Sequence, residues 1–235
     1  MLLLTGAGGR LGTEFCRRYA ARYDIVAVYR AHRPAVPSQT EQFVDPLDPQ
    51  ALLPDNAATV FTIQADLERD GEVERVLDLA LARFGVVDVL VNNAAFSQWY
   101  AHGLIDGDAA LRDLDRHFAV NVGVPLRFAV RAAQRCWRDH VDANRARNRN
   151  VINVSSLGGS KLFTGSGQGV YAASKAALNM LTRHLGAEFA TFGVRVNALA
   201  PNSFPSLVST RRVADGIVTL DEETVTGRIL AVDAD

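Results

Sequence analysis

The sequence predicts a doubly wound α/β fold, in which helices cover both faces of one parallel sheet. Seven short apolar runs alternate with longer helical stretches along the 235 residues. The runs are continuously apolar rather than alternating, which is typical of strands buried on both faces of a parallel sheet. Because we find no linker rich enough in Pro, Gly or Ser to separate two domains, we expect a single domain over residues 1–235.

The predicted elements follow one another as strand, then helix. The segment His32–Asn56 contains five prolines, so we expect mostly loop there. Sheets of this kind bind ligands beyond the carboxyl ends of their strands, where the strand order reverses. The predicted strands are Leu2–Thr5, Ile25–Tyr29, Thr59–Ile63, Val86–Val91, Val151–Ser155, Val194–Ala198 and Ile229–Val232, and the predicted helices cover approximately residues 10–22, 70–84, 107–140, 170–191 and 211–220.

The composition excludes several classes of protein. Hydrophobic residues make up 48% of the chain and charged residues 22%, the balance of a soluble globular protein with a sizeable core. The formal net charge of −1 provides no broad positive field for nucleic acid, and no apolar run approaches the roughly 20 residues of a membrane span. Cys16 and Cys136 lie far apart without a Cys/His cluster, so we expect no structural metal and a reducing, cytoplasmic compartment.

The first predicted strand runs directly into a glycine-rich loop, Thr5–Gly12. Gly6, Gly9 and Gly12 permit a sharp turn, a close approach to a pyrophosphate and close packing of helix on strand. The helix that follows presents free N–H groups and a partial positive charge to phosphates. The loop therefore favours a dinucleotide-binding Rossmann fold, and the alternative is a merely tight turn.

A tyrosine and a lysine lie four residues apart in Tyr171-Ala-Ala-Ser-Lys175, at the start of a predicted helix. This spacing puts both side chains on one helix face. A phenol has an ordinary pKa of about 10, and an adjacent ammonium moves that pKa toward the working pH. Only Lys161 and Lys175 are lysines among the 25 Lys and Arg residues, so a chance pair on the surface is the weaker alternative.

In order and spacing these motifs resemble those of the short-chain dehydrogenase/reductase family, specifically its single-domain members. The resemblance covers nearly the whole chain. Besides the glycine loop and the tyrosine–lysine pair it includes six motifs: Asp66-Leu67, Asn92-Asn93-Ala94-Ala95, Asn121 in His117-Phe-Ala-Val-Asn121, Val151-Ile-Asn-Val-Ser-Ser156, Arg195–Pro201 and Thr226–Asp233.

The resemblance implies hydride transfer between a nicotinamide and the carbonyl carbon of a small-molecule substrate, in a homo-oligomeric enzyme. Tyr171 would exchange the proton, and Lys175 would lower the pKa of Tyr171 and hold the nicotinamide ribose. Ser156, chosen by register, would hydrogen-bond the substrate oxygen, and Asn121 would anchor a water leading from Lys175. The implied cofactor-binding residues are Gly6, Gly9, Arg10, Leu11, Gly12, Arg30, Asp66, Leu67, Asn93, Ala94, Tyr171, Lys175, Pro201 and Phe204.

The chain departs from the family pattern in two ways. Arg10 replaces a glycine that single-domain members usually carry, and Ala95 and Asn202 replace two others. Only eleven residues separate Pro201 from Val213, where family members carry a longer, partly helical lid over the substrate. We therefore expect a shortened lid, with a substrate site that is open or is completed by a neighbouring subunit.

The end of the second strand predicts a preference for NADP(H) over NAD(H). Sites specific for NAD usually place an acid about 20 residues after the glycine loop, on the ribose 2′-OH. Here the strand ends Val28-Tyr-Arg-Ala-His-Arg33, which contains no acid. Arg30 is expected to meet a 2′-phosphate with its planar fork, and Arg10 to reach the same phosphate from the opposite side. The alternative is that both arginines are solvated.

Other residues near the predicted site have two interpretations each. Phe96, Trp99, Tyr100 and His102 would form an aromatic wall of the substrate pocket or would pack on the helix that follows. Lys161 would meet an anionic substrate group or would be solvated.

Three functions remain open at this point. The leading hypothesis is an NADP(H)-dependent carbonyl reductase or alcohol dehydrogenase, and reduction of an imine or an enone on the same fold is a second. A cofactor-binding sensor or scaffold without turnover is the alternative from another class. The shortened lid favours the sensor, whereas the intact set of Asn121, Ser156, Tyr171 and Lys175 favours an enzyme.

Overall fold

The computed structural model describes residues 1–40, 59–101, 103–105, 108–165 and 167–234. Within these residues one all-parallel sheet is formed by strands that coincide closely with the continuous apolar runs. The strands are β1 (Leu2–Leu4), β2 (Ile25–Tyr29), β3 (Gln39–Thr40), β4 (Val60–Gln64), β5 (Val89–Asn92), β6 (Asn150–Val154), β7 (Arg195–Pro201) and β8 (Ile229–Val232).

The strand order in the sheet is β3-β4-β2-β1-β5-β6-β7-β8. All seven predicted strands are present, and β3 adds two residues to one edge inside the segment that we expected to be loop. Residues 41–58, which include most of that segment, lie outside the described residues. The chain builds outward from β1 through β2 and then returns to place β5 on the other side of β1, so the strand order reverses between β1 and β5.

Helices cover both faces of the sheet, which confirms the doubly wound prediction. β1 shows why its run is continuously apolar, because Leu3 packs into one core and its neighbours Leu2 and Leu4 pack into the other. None of the described helices combines the length and apolar character needed to cross a membrane. Two helices, α1 (Arg10–Tyr19) and α7 (Thr210–Glu222), lie on one face of the sheet. The other helices are α2 (Glu72–Phe84), α3 (Ala109–Phe118), α4 (Val124–Ala132), α5 (Val141–Ala146) and α6 (Gly169–Phe189).

The predicted continuous helix over 107–140 is wrong in detail. α3 passes into a π-helical turn, Ala119–Gly123, before α4 begins, and a second π-helical turn, Ala133–Trp137, follows α4. In the first turn the Val124 N–H bonds the Ala119 carbonyl, five residues back. Turns of this kind often occur at functional sites, and this one contains Asn121.

Candidate active site and cofactor cleft

The glycine loop brings backbone against backbone at the point where the strand order reverses. Gly6 has a φ of +67°, and a Cβ there would lie 2.8 Å from Ala94 Cα. A Cβ on Gly12 would lie 2.5 Å from Ala7 Cα, so only glycine lets α1 pack this closely on the loop. Gly9 caps α1 without a side-chain hydrogen bond, which leaves the N–H groups of the first helical turn available to an anion.

Gly8 is a constraint that the sequence analysis missed. A Cβ on Gly8 would lie 1.6 Å from the carbonyl oxygen of His32, so the chain leaving β2 crosses directly over the loop. The contact joins segments more than twenty residues apart, and the only signal in the sequence was a fourth glycine within Thr5–Gly12.

A cleft of about 460 Å³ opens above this loop, and we call it the glycine-loop cleft. It contains ten of the residues that the resemblance assigned to the cofactor: Gly6, Gly9, Arg10, Leu11, Arg30, Asp66, Leu67, Asn93, Ala94 and Phe204. Gly12 lies beneath the loop instead. Among the described residues, no group of three or more His, Cys, Asp or Glu side chains is arranged to hold a metal ion.

The loop after β5 is tied to the glycine loop by hydrogen bonds. Asn93 donates from Nδ2 to the Thr5 carbonyl at 3.0 Å and to the Gly6 carbonyl at 3.1 Å. The Thr5 hydroxyl in turn accepts from the Asn93 and Ala94 N–H groups at 2.9 and 3.0 Å. These contacts join the carboxyl ends of β1 and β5, between which the strand order reverses.

A second cavity of about 580 Å³, here the tyrosine cavity, adjoins the cleft and shares Arg10 and Phe204 with it. Tyr171, Ser155, Ser156 and Pro201 line it. Tyr171 lies in the first turn of α6, and Ser156 begins the short turn after β6, where its Oγ accepts from the Gly158 N–H at 3.2 Å. Ser155 is buried and donates to the Lys175 carbonyl at 3.3 Å, so Ser156 is the serine whose hydroxyl is close enough to Tyr171 to affect its pKa.

Lys175 lies beneath the cavity floor and lines neither cavity. Its side chain is 2% exposed, its Nζ donates to the Val154 carbonyl at 2.8 Å, and Nζ is 5.7 Å from the centre of the Tyr171 ring. Burial lowers the pKa of Lys175 to about 7, because the charged amine is removed from water.

The electrostatics of the pair differ from the sequence expectation. Burial raises the pKa of Tyr171 above its ordinary value, and the hydrogen bond with Ser156 opposes that rise. Lys175 was expected to lower the pKa of Tyr171, but in this structure the amine is directed to Val154 and its own charge is disfavoured. Helical spacing predicted the shared face correctly, but it carries no information on burial.

The buried lysine makes the stability of the cofactor-free protein depend on pH. Between about pH 7 and pH 10.5 the unfolded chain binds a proton at Lys175 that the folded chain does not, so the free energy of unfolding rises with pH. We expect a rise of about 1 to 2 kcal/mol from this group between about pH 7 and pH 8.5, measured by urea denaturation. Lys175→Met should lose this part of the pH dependence, and Lys161→Met, at the exposed lysine, should keep it. Equal slopes in wild type and Lys175→Met would contradict the assignment.

Asn121 is fully buried, and its side chain is used to position two other segments. Its Oδ1 accepts from the Phe96 N–H at 2.8 Å, and its Nδ2 donates to the Phe96 carbonyl and to Ser174 Oγ, each at 2.9 Å. Oδ1 keeps a second lone pair, so the expected anchoring of a water by Asn121 stays a prediction. The contacts of Asn121 connect the loop after β5 with α6 at Ser174, one residue before Lys175.

The Arg30 end of the glycine-loop cleft contains an acid that the sequence analysis did not identify. Glu68 follows β4 and accepts from Arg30 Nη1 at 2.8 Å. Arg116 on α3 contacts the same carboxylate through Nε and Nη2, both at 2.8 Å. The end of the second strand contains no acid, as the sequence shows, but a carboxylate reaches Arg30 from a segment 38 residues further along the chain.

Arg10 lines the glycine-loop cleft together with Arg30. It lines both cavities, and its Nη1 is 3.5 Å from the Phe204 carbonyl oxygen, whereas Arg30 lines only the glycine-loop cleft and pairs with Glu68. Both arginines line one cleft, and their expected approach to one phosphate from opposite sides stays a prediction.

The aromatic residues of the loop after β5 differ in whether they line a cavity or pack on the helix that follows. Trp99 is 62% exposed and lines the tyrosine cavity. Tyr100 is buried and donates to Asp113 of α3 at 3.2 Å, and Phe96 lines the glycine-loop cleft and packs on His117. His102 lies outside the described residues. Lys161 pairs with Asp233 at 3.1 Å instead of facing the tyrosine cavity.

The shortened lid is a compact turn between β7 and α7. Asn202 is fixed by its N–H to the Val232 carbonyl at 2.8 Å and by Nδ2 to Asp233 Oδ1 at 2.6 Å. Val208 is buried, and Ser209 caps α7 by accepting from the Arg212 N–H. The turn lines one side of the tyrosine cavity through residues 202–206.

Comparison with known proteins agrees with this geometry. A family model for the short chain dehydrogenases matches residues 1–215. The chain is 26% identical over 202 residues to glucose 1-dehydrogenase 2 of Bacillus subtilis, covering 86% of this chain and 70% of that protein. It is 28% identical over 215 residues to 3beta-hydroxysteroid dehydrogenase 1 of Eggerthella lenta, covering 91% and 74%.

Solved structures show the same fold. The structure of 3-ketoacyl-(acyl-carrier-protein) reductase from Brucella melitensis complexed with NADH has a TM-score of 0.78 at 21% identity, covering 99% of this chain and 96% of that one. A short chain dehydrogenase from Mycobacterium smegmatis has a TM-score of 0.77 at 26% identity, covering 100% and 91%. The chain therefore belongs to the short-chain dehydrogenase family and is an NAD(P)-dependent dehydrogenase or reductase.

Proposed function

We propose that this protein is an NADP(H)-dependent carbonyl reductase, or an alcohol dehydrogenase in the reverse direction, with Tyr171 as the acid/base. The observation that carries the proposal is the position of Tyr171. It lines the tyrosine cavity beside Ser156, and that cavity meets the glycine-loop cleft at Arg10 and Phe204. A substrate in one cavity thus adjoins a nicotinamide held in the other, within one domain that we propose spans residues 1–235.

The cofactor supplies the hydride, and the side chains of this chain handle the proton and the oxygen. Tyr171 donates its proton to the oxygen as negative charge develops there, and Ser156 orders that oxygen by hydrogen bonding. Lys175 favours phenolate after proton transfer when it is protonated, and its pKa of about 7 lets it gain or lose a proton near neutral pH. Asn121 acts as a positioning residue, because it fixes the loop after β5 relative to α6.

The preference for NADPH rests on the charges at the Arg30 end of the cleft. Arg30 and Arg116 both contact Glu68, which gives two positive charges against one negative at this contact. Arg30 is largely exposed and holds Glu68 by one hydrogen bond, so its remaining N–H groups are open to a phosphate. Arg10, between the two cavities, is better placed for the pyrophosphate or the substrate.

The tyrosine cavity favours substrates with a flat apolar part. Trp99, Phe163 and Phe204 line it, and Arg10 is the one charged side chain among the described residues that do so. A carbonyl group attached to an aromatic or alicyclic ring suits these walls, and a cationic substrate does not, since the lining includes no described acid to pair with it.

A substrate panel followed by loss of NADPH absorbance tests the proposal. The panel contains aryl ketones, alicyclic ketones, aldehydes, cyclic imines and enones, each with NADPH and with NADH. We expect turnover of ring-bearing ketones or aldehydes. Turnover confined to imines or enones would replace carbonyl reduction with the second reaction, and tight NADPH binding without any turnover would support the sensor.

We also propose that the protein forms a homo-oligomer in a reducing compartment such as the cytoplasm, where Cys16 and Cys136 stay free as in the structure. The support for the oligomer is apolar surface shared by neighbouring helices of one face: Leu111, Leu114 and Phe118 on α3, Leu126 on α4 and Met180 on α6. Patches of this kind usually mark protein interfaces.

Sedimentation velocity tests the oligomer. Leu111→Asp with Met180→Asp should shift the wild-type species toward monomer, because each aspartate would be buried unpaired at the interface. Val225→Asp, at an exposed apolar residue outside these helices, is the matched control and should sediment as wild type. A monomeric wild type at micromolar concentration would refute the assembly.

A further inference from the structure

The Arg30 end of the glycine-loop cleft holds one carboxylate between two unequal arginine contacts. Arg116 reaches both oxygens of Glu68, and its guanidinium lies 4.2 Å from the centre of the Phe96 ring. Arg30 makes a single contact, from Nη1 to Oε1 at 2.8 Å. Arg30, Glu68 and Phe96 all line the cleft, so this arrangement faces whatever the cleft binds.

The two contacts differ in strength for a geometric reason. A bidentate guanidinium–carboxylate contact is oriented and charge-assisted, and stacking on an aromatic ring fixes the guanidinium further. The Arg30 side chain is 58% exposed, and exposed single ion pairs contribute little to stability. Glu68 is therefore fixed by Arg116, whereas Arg30 exchanges partners easily.

Glu68 stays ionised at neutral pH in this setting. The hydrogen bonds and positive charge of Arg116, and then the charge of Arg30, hold the pKa of Glu68 below its ordinary value. A ligand that approaches Arg30 thus meets a permanent negative charge within hydrogen-bond distance of the same guanidinium.

We propose that Glu68 is a specificity-determining residue of this cleft, which competes with the cofactor's 2′-phosphate for Arg30 and so limits the preference for NADPH over NADH. The proposal rests on the proposed function, since it takes Arg30 as the partner of that phosphate. A phosphate monoester carries a charge of about −1.5 to −2, so it displaces Glu68 from Arg30 but is still repelled by the carboxylate that Arg116 retains. A cofactor that ends in a 2′-hydroxyl has no such charge and leaves the Arg30–Glu68 pair intact.

Glu68→Gln is the direct test, because it removes the charge and keeps the size of the side chain. Dissociation constants for NADPH and NADH are measured by isothermal titration calorimetry on the full chain. We expect NADPH to bind about threefold to tenfold more tightly and NADH to change by less than about twofold, the size of effect expected from one exposed charge. Glu68→Ala is a second variant, which should change the ratio of the two constants in the same direction.

Glu74→Gln is the matched control. Glu74 pairs with Arg131 at 2.8 Å and is as exposed as Glu68, but it lies on α2 and does not line the cleft. In the Glu74→Gln variant, the ratio of the NADH to the NADPH dissociation constant should equal the wild-type ratio. An unchanged ratio in both Glu68 variants, or the same change in Glu74→Gln, would overturn the proposal.

The outcome separates this inference from the proposed function. If the wild type binds NADH more tightly but Glu68→Gln still raises the ratio of the NADH to the NADPH dissociation constant, the cofactor preference in the proposed function fails and the role of Glu68 stands. If the wild type prefers NADPH and the ratio stays unchanged in both Glu68 variants, the role of Glu68 fails and the cofactor preference stands.

Discussion

Tyr171→Phe should lower kcat by about 10²- to 10⁴-fold, the contribution of a positioned general acid. The substitution keeps the ring, so it keeps the packing of the half-buried side chain at the start of α6, and it removes only the hydroxyl that pairs with Ser156. Binding of NADPH should change by less than about twofold, because Tyr171 lines the tyrosine cavity and not the glycine-loop cleft. Steady-state kinetics and a cofactor titration measure the two quantities.

Tyr100→Phe is the control for loss of a tyrosine hydroxyl near the site. Its hydroxyl donates to Asp113 on α3, and Tyr100 lines neither cavity, so kcat should stay close to the wild-type value. A Tyr171→Phe variant with a near-normal rate, or equal losses in both variants, would remove Tyr171 from the proposed mechanism.

Arg30→Ala should weaken NADPH binding by about tenfold to a hundredfold. A charge-assisted hydrogen bond is worth about 1.5–3 kcal/mol, and the substitution also leaves Glu68 facing the phosphate with one fewer cation nearby. NADH has no 2′-phosphate, so its dissociation constant should stay nearly unchanged. Isothermal titration calorimetry with both cofactors gives the comparison.

The matched control for this prediction is Arg135→Ala. Arg135 is an exposed arginine paired with Asp78 at 2.8 Å, remote from the glycine-loop cleft, and its loss should affect neither cofactor. Equal weakening of NADPH and NADH in Arg30→Ala would contradict the assignment of Arg30, and tighter binding of NADH by the wild type would contradict the proposed cofactor preference.

The fold was largely predictable because strand burial leaves a simple trace in the sequence. Strands buried on both faces must be continuously apolar, as Leu2–Leu4 shows. The π-helical turn at Ala119–Gly123 was not predictable, because one extra residue in a helical turn leaves no clear trace in the apolar periodicity. β3 was missed for a similar reason, since two residues carry no periodicity.

The site was predictable where one local motif carries it and not where distant segments meet. Tyr171 and Lys175 share a helix face as their spacing requires. The roles of Gly8 and Glu68 were not predicted, because each depends on a contact that only the folded chain creates. Gly8 lies against the His32 carbonyl, and Glu68 accepts hydrogen bonds from Arg116. The direction of the Tyr171 pKa likewise depends on burial, which the spacing of two residues does not reveal.

Transfer of deuterium from NADPH labelled at C4 tests the central claim most directly. The label follows the hydride, so the carbon that carries deuterium in the product identifies the bond that was reduced. The account predicts deuterium on the carbinol carbon of a ketone or aldehyde substrate, seen by NMR, and loss of that product in Tyr171→Phe. Deuterium at a former imine or enone carbon, or no labelled product from a protein that binds NADPH tightly, would contradict it.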